Sequence, residues 1–235
     1  MNILNLVDLC FSYDNTPIMK NISLTLKAGE LVGILGSNGA GKTTLFDLIC
    51  KLKKPSSGTI LNSTNRQIYL TQILTPPPLL RMSETGELIR LLSSTSPSQS
   101  ELMSRLSKWP SPLGKRYNSI SKKKAAHCSY GEIRSYFTLT LLLLRSELII
   151  LDEPTAGVDA EFRHFIWLAI KAARKEGASV LVSSHYTEEI AANCDRFYML
   201  ANQQLKGFRS GEEFMSVYHA ASLDEAFIKA STNQD

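Results

Sequence analysis

The segment Gly36-Ser37-Asn38-Gly39-Ala40-Gly41-Lys42-Thr43 constrains this chain more than any other, because it fits the pattern G-x-x-x-x-G-K-[ST]. An apolar run at 31–35 precedes it and a helix-like stretch follows from Lys42, so the setting is strand, loop, helix. Such a loop wraps a phosphate with inward-pointing backbone N–H groups, a turn that Cβ atoms obstruct and glycines permit. The helix N-terminus adds its partial positive charge. Lys42 then reaches the β- and γ-phosphates, Thr43 offers its hydroxyl to Mg²⁺, and Thr44 faces the α/β-phosphate side. The competing reading is a glycine-rich turn that only caps a helix.

The bulk properties exclude several classes. With 235 residues, 43% hydrophobic and 20% charged, the chain has the composition of an ordinary packed core, not of a disordered segment. The longest apolar stretch, at 139–144, is far short of the ~20 residues a membrane helix needs. The first residues lack a basic region followed by a long apolar core, so no secretory signal is expected and the protein is expected to stay in the cytosol. Cys10, Cys50, Cys128 and Cys194 form no C-x-x-C pair, and the histidines show no H-E-x-x-H spacing. A net charge of +4 does not argue for nucleic acid, and the one basic run, Lys122-Lys123-Lys124, reads as a solvated loop or helix start.

Along the chain, strands are expected at about 3–9, 21–26, 31–35, 59–61 and 67–71, with a helix at about 42–52. Pro76-Pro77-Pro78 stops regular structure, Ser83 is expected to cap a helix running to about 93, and a polar loop at 93–100 leads to a helix at 101–108. From 132 onward helix and strand alternate, at about 132–144, 148–151, 160–176 and 179–183, which implies a parallel sheet covered by helices. A strand at 196–200 and helices near 212–219 and 224–229 complete the pattern, with no internal repeat and no separate ligand-binding domain.

The apolar strand Leu148-Ile149-Ile150-Leu151 ends in Asp152-Glu153, two carboxylates at the edge of a parallel sheet. Asp152 is positioned to bind Mg²⁺, directly or through water, and Glu153 to polarise the water that attacks the γ-phosphate. Taken alone, such a strand end is a weak signal.

Its continuation is specific. Residues 151–159, Leu-Asp-Glu-Pro-Thr-Ala-Gly-Val-Asp, resemble the second nucleotide motif and following D-loop of ATP-binding cassette (ABC) ATPases. Further elements of that family occur in order. Tyr13 resembles the aromatic residue that stacks on adenine, Gln72 the glutamine that touches Mg²⁺ and the attacking water, and His185 the histidine that contacts the γ-phosphate. Cys128-Ser129-Tyr130-Gly131-Glu132 resembles the family's signature, usually close to L-S-G-G-Q. Ser129 and Gly131 match the positions whose hydroxyl and backbone N–H contact the γ-phosphate. Tyr130 puts a ring where glycine is usual, and Glu132 a carboxylate that must face away from a triphosphate or meet a cation, for which Arg134 is the candidate.

The resemblance spans about residues 4–200 and implies an α/β fold: a P-loop NTPase of the ABC type with a RecA-like parallel-sheet core, an N-terminal antiparallel β subdomain and a helical subdomain. Residues 1–235 form a single cassette with a helical insertion at about 76–145. ATP and Mg²⁺ are the implied cofactors. Two cassettes, as homodimer or heterodimer, pair head to tail so that Ser129 and Gly131 of one close over the ATP held by Lys42 of the other, with Asp159 at the seam. The implied function is ATP hydrolysis driving transport, export before import, through a separate integral membrane permease that grips the surface at about 72–92. The implied location is cytoplasmic, peripheral on the inner face of the cell membrane.

Three alternatives stand beside this. An ABC protein acting on nucleic acid or ribosomes commonly carries two cassettes or a long coiled coil, which this chain lacks, so no nucleic acid is expected. An unrelated phosphate-loop kinase or GTPase does not explain 128–132 together with 156–159. A slow or regulatory subunit follows if the altered signature fails to support hydrolysis.

Overall fold

The computed structural model describes residues 1–94 and 96–232. Thr95, within the expected polar loop, and Asn233, Gln234 and Asp235, at the end of the expected cassette, lie outside the described residues.

The chain opens with a long antiparallel hairpin, β1 (Asn2–Tyr13) and β2 (Thr16–Lys27). Both turn residues, Asp14 and Asn15, have positive φ (41° and 69°), the backbone that lets a two-residue turn match the twist of its strands. That match carries the pairing out to the turn, so both strands run longer than the sequence pattern suggests. β4 (Ser57–Asn62) pairs on the other side of β1, giving a three-stranded sheet β2-β1-β4.

The second sheet has the order β5-β6-β7-β3-β8-β9. β3 (Leu31–Leu35), β5 (Gln67–Leu70), β6 (Leu148–Leu151), β7 (Ser179–Ser184) and β8 (Arg196–Ala201) are parallel, and β9 (Gln204–Phe208) is added antiparallel at the edge. Its central strands are buried on both faces, as the near-continuous apolar runs require. Alternate residues serve two cores. Val32, Ile34, Leu148, Ile150 and Leu181 face a cluster shared with the hairpin and α1 (Lys42–Ile49). Leu31, Leu35, Ile149, Leu151, Val180 and Val182 face the larger helical cluster.

Between β5 and β6 lie α2 (Met82–Leu92), α3 (Gln99–Lys108), α4 (Ser111–Ser121), a 3-10 turn at Ala125–His127 and α5 (Tyr130–Leu142). α6 (Ala160–Lys175) joins β6 to β7, α7 (Thr187–Asn193) joins β7 to β8, and α8 (Gly211–Val217) and α9 (Leu223–Thr232) follow β9.

Several local expectations change. The cap of α2 is Arg81, not Ser83, because Glu84 reaches back to accept the Arg81 N–H at 2.6 Å and Ser83 is already helical. α3 starts earlier, at a capping box in which Ser98 Oγ accepts from Glu101 N at 3.2 Å. α4, α7 and β9 were not anticipated by the sequence pattern.

Candidate functional site

The phosphate loop follows β3 at the C-terminal edge of the parallel strands, where ligands of such sheets bind. Two of its glycines are sterically required. Gly41 has φ 105°, and a Cβ there meets Ile18 Cγ2 at 2.9 Å; a Cβ at Gly36 meets the carbonyl oxygen of Leu200 at 2.7 Å. The loop opens on a cleft of about 220 Å³ lined by Ser37, Asn38, Gly39, Gly41, Lys42, Thr43, Thr44, Gln72 and Glu153. Gln72 comes from the end of β5, Asp152 and Glu153 from the end of β6, and His185 from the end of β7. One sheet edge thus gathers residues separated by over a hundred positions.

Lys42 is buried, 6% exposed, and its Nζ donates to the carbonyls of Gly36 at 2.6 Å and Ser37 at 3.1 Å. It also stands 2.9 Å from Glu153 Oε1. That contact is an ion pair without hydrogen-bond geometry, so Oε1 is a buried oxygen with no hydrogen-bond donor. The other carboxylate oxygen of Glu153 lies 2.7 Å from His185 Nδ1. Glu153 itself has φ 50°, left-handed backbone that costs a non-glycine residue about 1–2 kcal/mol and is held here by Ser183 Oγ, which accepts the Glu153 N–H at 2.9 Å.

Asp152 is fully buried. Thr43 Oγ1 donates to one of its oxygens and Ser183 Oγ to the other, each at 2.6 Å. Burial pushes the Asp152 carboxyl above its ordinary pKa and Glu153 adds to the rise, while Ser183, Thr43 and Lys42 oppose it. Among the described residues no group of three or more His, Cys, Asp or Glu could hold a metal ion. The hydroxyl-plus-carboxylate pair of Thr43 and Asp152 instead suits Mg²⁺, which is typically held by one or two carboxylates together with substrate phosphates. The glycine cradle and the inward lysine fit a bound triphosphate, and the buried Glu153 oxygen without a donor suits acceptance of a proton from water.

Tyr13 sits at the rim, 41% exposed, its hydroxyl 3.3 Å from Thr44 Oγ1. Phe11 braces it edge-on at 4.8 Å, and Lys53 Nζ lies 5.3 Å above the ring.

Ser129 and Gly131 do not line this cleft. Ser129 caps α5: its Oγ accepts from Glu132 N at 3.2 Å, and Glu132 Oε2 accepts the Ser129 N–H at 3.0 Å. The first amides of such a helix have no intrahelical partner. Gly131 is also a close-packing position, since a Cβ there meets the Phe162 ring at 2.8 Å. The carboxylate of Glu132 is turned back on the box, and its cation is Lys123, at 2.5 Å, not Arg134. Burial works against its ionisation, but Lys123 and the Ser129 N–H prevail and hold its pKa below the usual carboxylate range. The basic run 122–124 therefore contributes one structural ion pair. Asp159 caps α6, accepting from Phe162 N at 3.0 Å.

Arg134 does not offset Glu132, although its position in the sequence suggests that role. It is fully buried, and its guanidinium meets main-chain carbonyls at the ends of β5 and β6. One signal was available: it is the only charged residue in the apolar stretch 133–144. Ser183, which orders both acidic residues, stands two positions before His185 and carried no such signal.

Comparison with known proteins agrees with this geometry. The ABC transporter family model matches residues 19–156. Protein McbF of Escherichia coli is 30% identical, with 99% of this chain and 96% of McbF covered. The ABC-type transporter ATP-binding protein EcsA of Bacillus subtilis is 29% identical, with 97% and 96% covered. The solved structure of an ATP-binding subunit of an ABC transporter superposes with a TM-score of 0.82 at 24% identity, covering 97% of this chain and 99% of that one. With the phosphate loop, the paired carboxylates and the sheet order already in place, the match assigns the chain plainly: it belongs to the ABC transporter family, as an ATP-binding cassette with ATPase activity.

Proposed function

We propose that this cassette powers transport through a separate membrane-spanning permease, and that it works as half of a head-to-tail pair of cassettes. One observation carries the pairing. The cleft holds Lys42, Thr43, Gln72 and Glu153, while Ser129 and Gly131, the other phosphate-facing groups, stand outside it. A second cassette, identical or different, supplies its own Ser129 and Gly131 to complete the site.

Within that site each side chain has a distinct role. Entry of the triphosphate draws Lys42 off the Gly36 and Ser37 carbonyls and off Glu153, releasing the carboxylate to polarise the attacking water. His185 holds Glu153 in orientation from its other oxygen and faces the γ-phosphate. The loop amides of 36–41 and the Thr44 side cradle the phosphates, and Tyr13 stacks on the adenine. Thr43, Asp152 and Gln72 hold Mg²⁺, which supplies neutralisation of the phosphate charge.

The permease contact is assigned to the surface at 72–92. Ile73, Leu79, Leu88, Leu91 and Leu92 are exposed there, 47% to 85%, and Leu88, Leu91 and Leu92 share one face of α2, which supports a partner contact at this surface. No described helix is long and apolar enough to cross a membrane. The cassette then works at the inner face of the cell membrane, on a partner chain. Export is the direction we favour. Glu132, held back by Lys123, leaves the signature clear for a triphosphate, which supports an active site over a slow regulatory one.

Affinity purification of the tagged chain from detergent-solubilised cells tests this reading. An integral membrane protein is the expected companion; ribosomes or nucleic acid with no membrane protein contradict it.

A further inference from the structure

Arg134 turns its guanidinium on peptide carbonyls. Its Nε donates to Pro154 O at 3.3 Å, Nη1 to Thr71 O at 3.2 Å and Gln72 O at 2.6 Å, and Nη2 to Asp152 O and to Glu153 O, the latter at 2.6 Å. Five hydrogen bonds run from the guanidinium to peptide carbonyls, as many as it has N–H donors. A fully buried cation is expensive unless its donors are satisfied. These five carbonyls belong to two segments: the exit of β5 with Gln72, and the exit of β6 with both acidic residues. Arg134 itself lies in the second turn of α5, five residues from Ser129. One helical turn toward the N-terminus, Tyr130 adjoins the guanidinium and lays its ring on Gly157, where a Cβ would come within 3.3 Å of the ring.

We propose that Arg134 is a positioning residue for hydrolysis: it fastens the first turns of α5 to the carbonyls flanking Gln72 and Glu153, so the signature and the catalytic ends of β5 and β6 in one chain move as one body. Tyr130 extends the fastening to the segment at Gly157. A nucleotide gripped by Ser129 and Gly131 in the partner's site then sets the peptide that carries Glu153 in the chain's own site. Communication between the two sites runs through main-chain carbonyls. Lysine cannot replace the residue, because a point charge with three donors cannot reach five acceptors spread over a plane.

The inference rests on the proposed pairing of cassettes, and the test separates the two. In the full chain, steady-state ATPase is measured for wild type and Arg134→Lys, and ATP-dependent dimerisation is measured for Glu153→Gln and for Glu153→Gln carrying Arg134→Lys. The pairing itself fails if Glu153→Gln alone does not dimerise with ATP. With pairing intact, Arg134→Lys is expected to lower kcat at least tenfold with KM within about threefold, while the double variant still dimerises. An unchanged kcat, or loss of dimerisation in the double variant, overturns the positioning role. If Arg134→Lys does not fold, Tyr130→Leu, at a position 48% exposed, carries the test. A kcat reduced at least twofold at unchanged KM supports the proposal, and a wild-type kcat counts against it.

Discussion

Lys42 Nζ lies 2.9 Å from Glu153 Oε1, with the two side chains only 6% and 3% exposed. The cation proposed to bind phosphate and the carboxylate proposed as general base thus neutralise each other across this contact. Breaking a buried pair by removing one partner is costly, so nucleotide must replace the carboxylate at Lys42 with a stronger anion. Glu153→Gln relieves that competition. It is expected to keep ATP binding at wild-type strength or tighter while lowering turnover about 10²–10⁴-fold, the usual worth of a general base. Phosphate release and equilibrium nucleotide binding, measured together, check both halves.

His185 holds the far oxygen of Glu153 at 2.7 Å. His185→Ala leaves the carboxylate in place but free to rotate, and is expected to lower kcat about 10²-fold, the lower end of a general-base contribution. The loss in kcat should exceed the loss in ATP affinity measured in the absence of turnover; a variant with wild-type kcat contradicts the orienting role.

Gly131 is fixed by packing, because a Cβ there falls 2.8 Å from the Phe162 ring. Gly131→Ala is expected to destabilise the chain by about 1–3 kcal/mol through overpacking. Urea unfolding measures the loss, and adding Phe162→Leu should restore part of it.

Glu132 supplies a pH dependence whose sign is set by its lowered pKa. Its ion pair with Lys123 and its capping bond to Ser129 contribute stability that is fully present above the ordinary glutamate value of about 4.3 and is lost as pH falls through the lower folded value. Glu132→Gln should therefore narrow the stability difference from wild type as pH drops below that value. Unfolding curves at pH 7 and at about pH 3 check this, and a difference that is constant across the range contradicts it.

What could be read in advance depended on how local each determinant is. The phosphate loop, the β6 carboxylates and the alternation of helix and strand after 132 rest on contiguous residues, so spacing alone exposes them; the strand order, with β3 between β7 and β8, rests on distant pairings and is not legible that way. α4 carries Pro112 and Gly114, poor helix formers that weaken its pattern; yet Pro112 sits in the first turn, where its missing N–H has no partner to lose, and Leu113, Tyr117 and Ile120 form the buried face. α7 is seven residues long, too short for a period to emerge, and β9 is an edge strand interrupted by Gly207. The cation that balances Glu132 is not Arg134, two positions away in sequence, but Lys123, which the 3-10 turn before α5 brings back beside that helix. Arg134 itself answers to carbonyls some twenty and sixty positions distant, a relationship no spacing encodes.

Sharing of the nucleotide site between two cassettes is read from the mass of the Glu153→Gln protein in solution. With ATP and Mg²⁺ a dimer holding two ATP molecules is expected, which reverts to monomer when Ser129→Arg is added. A Glu153→Gln protein that binds ATP at its full affinity and remains monomeric at every concentration contradicts it.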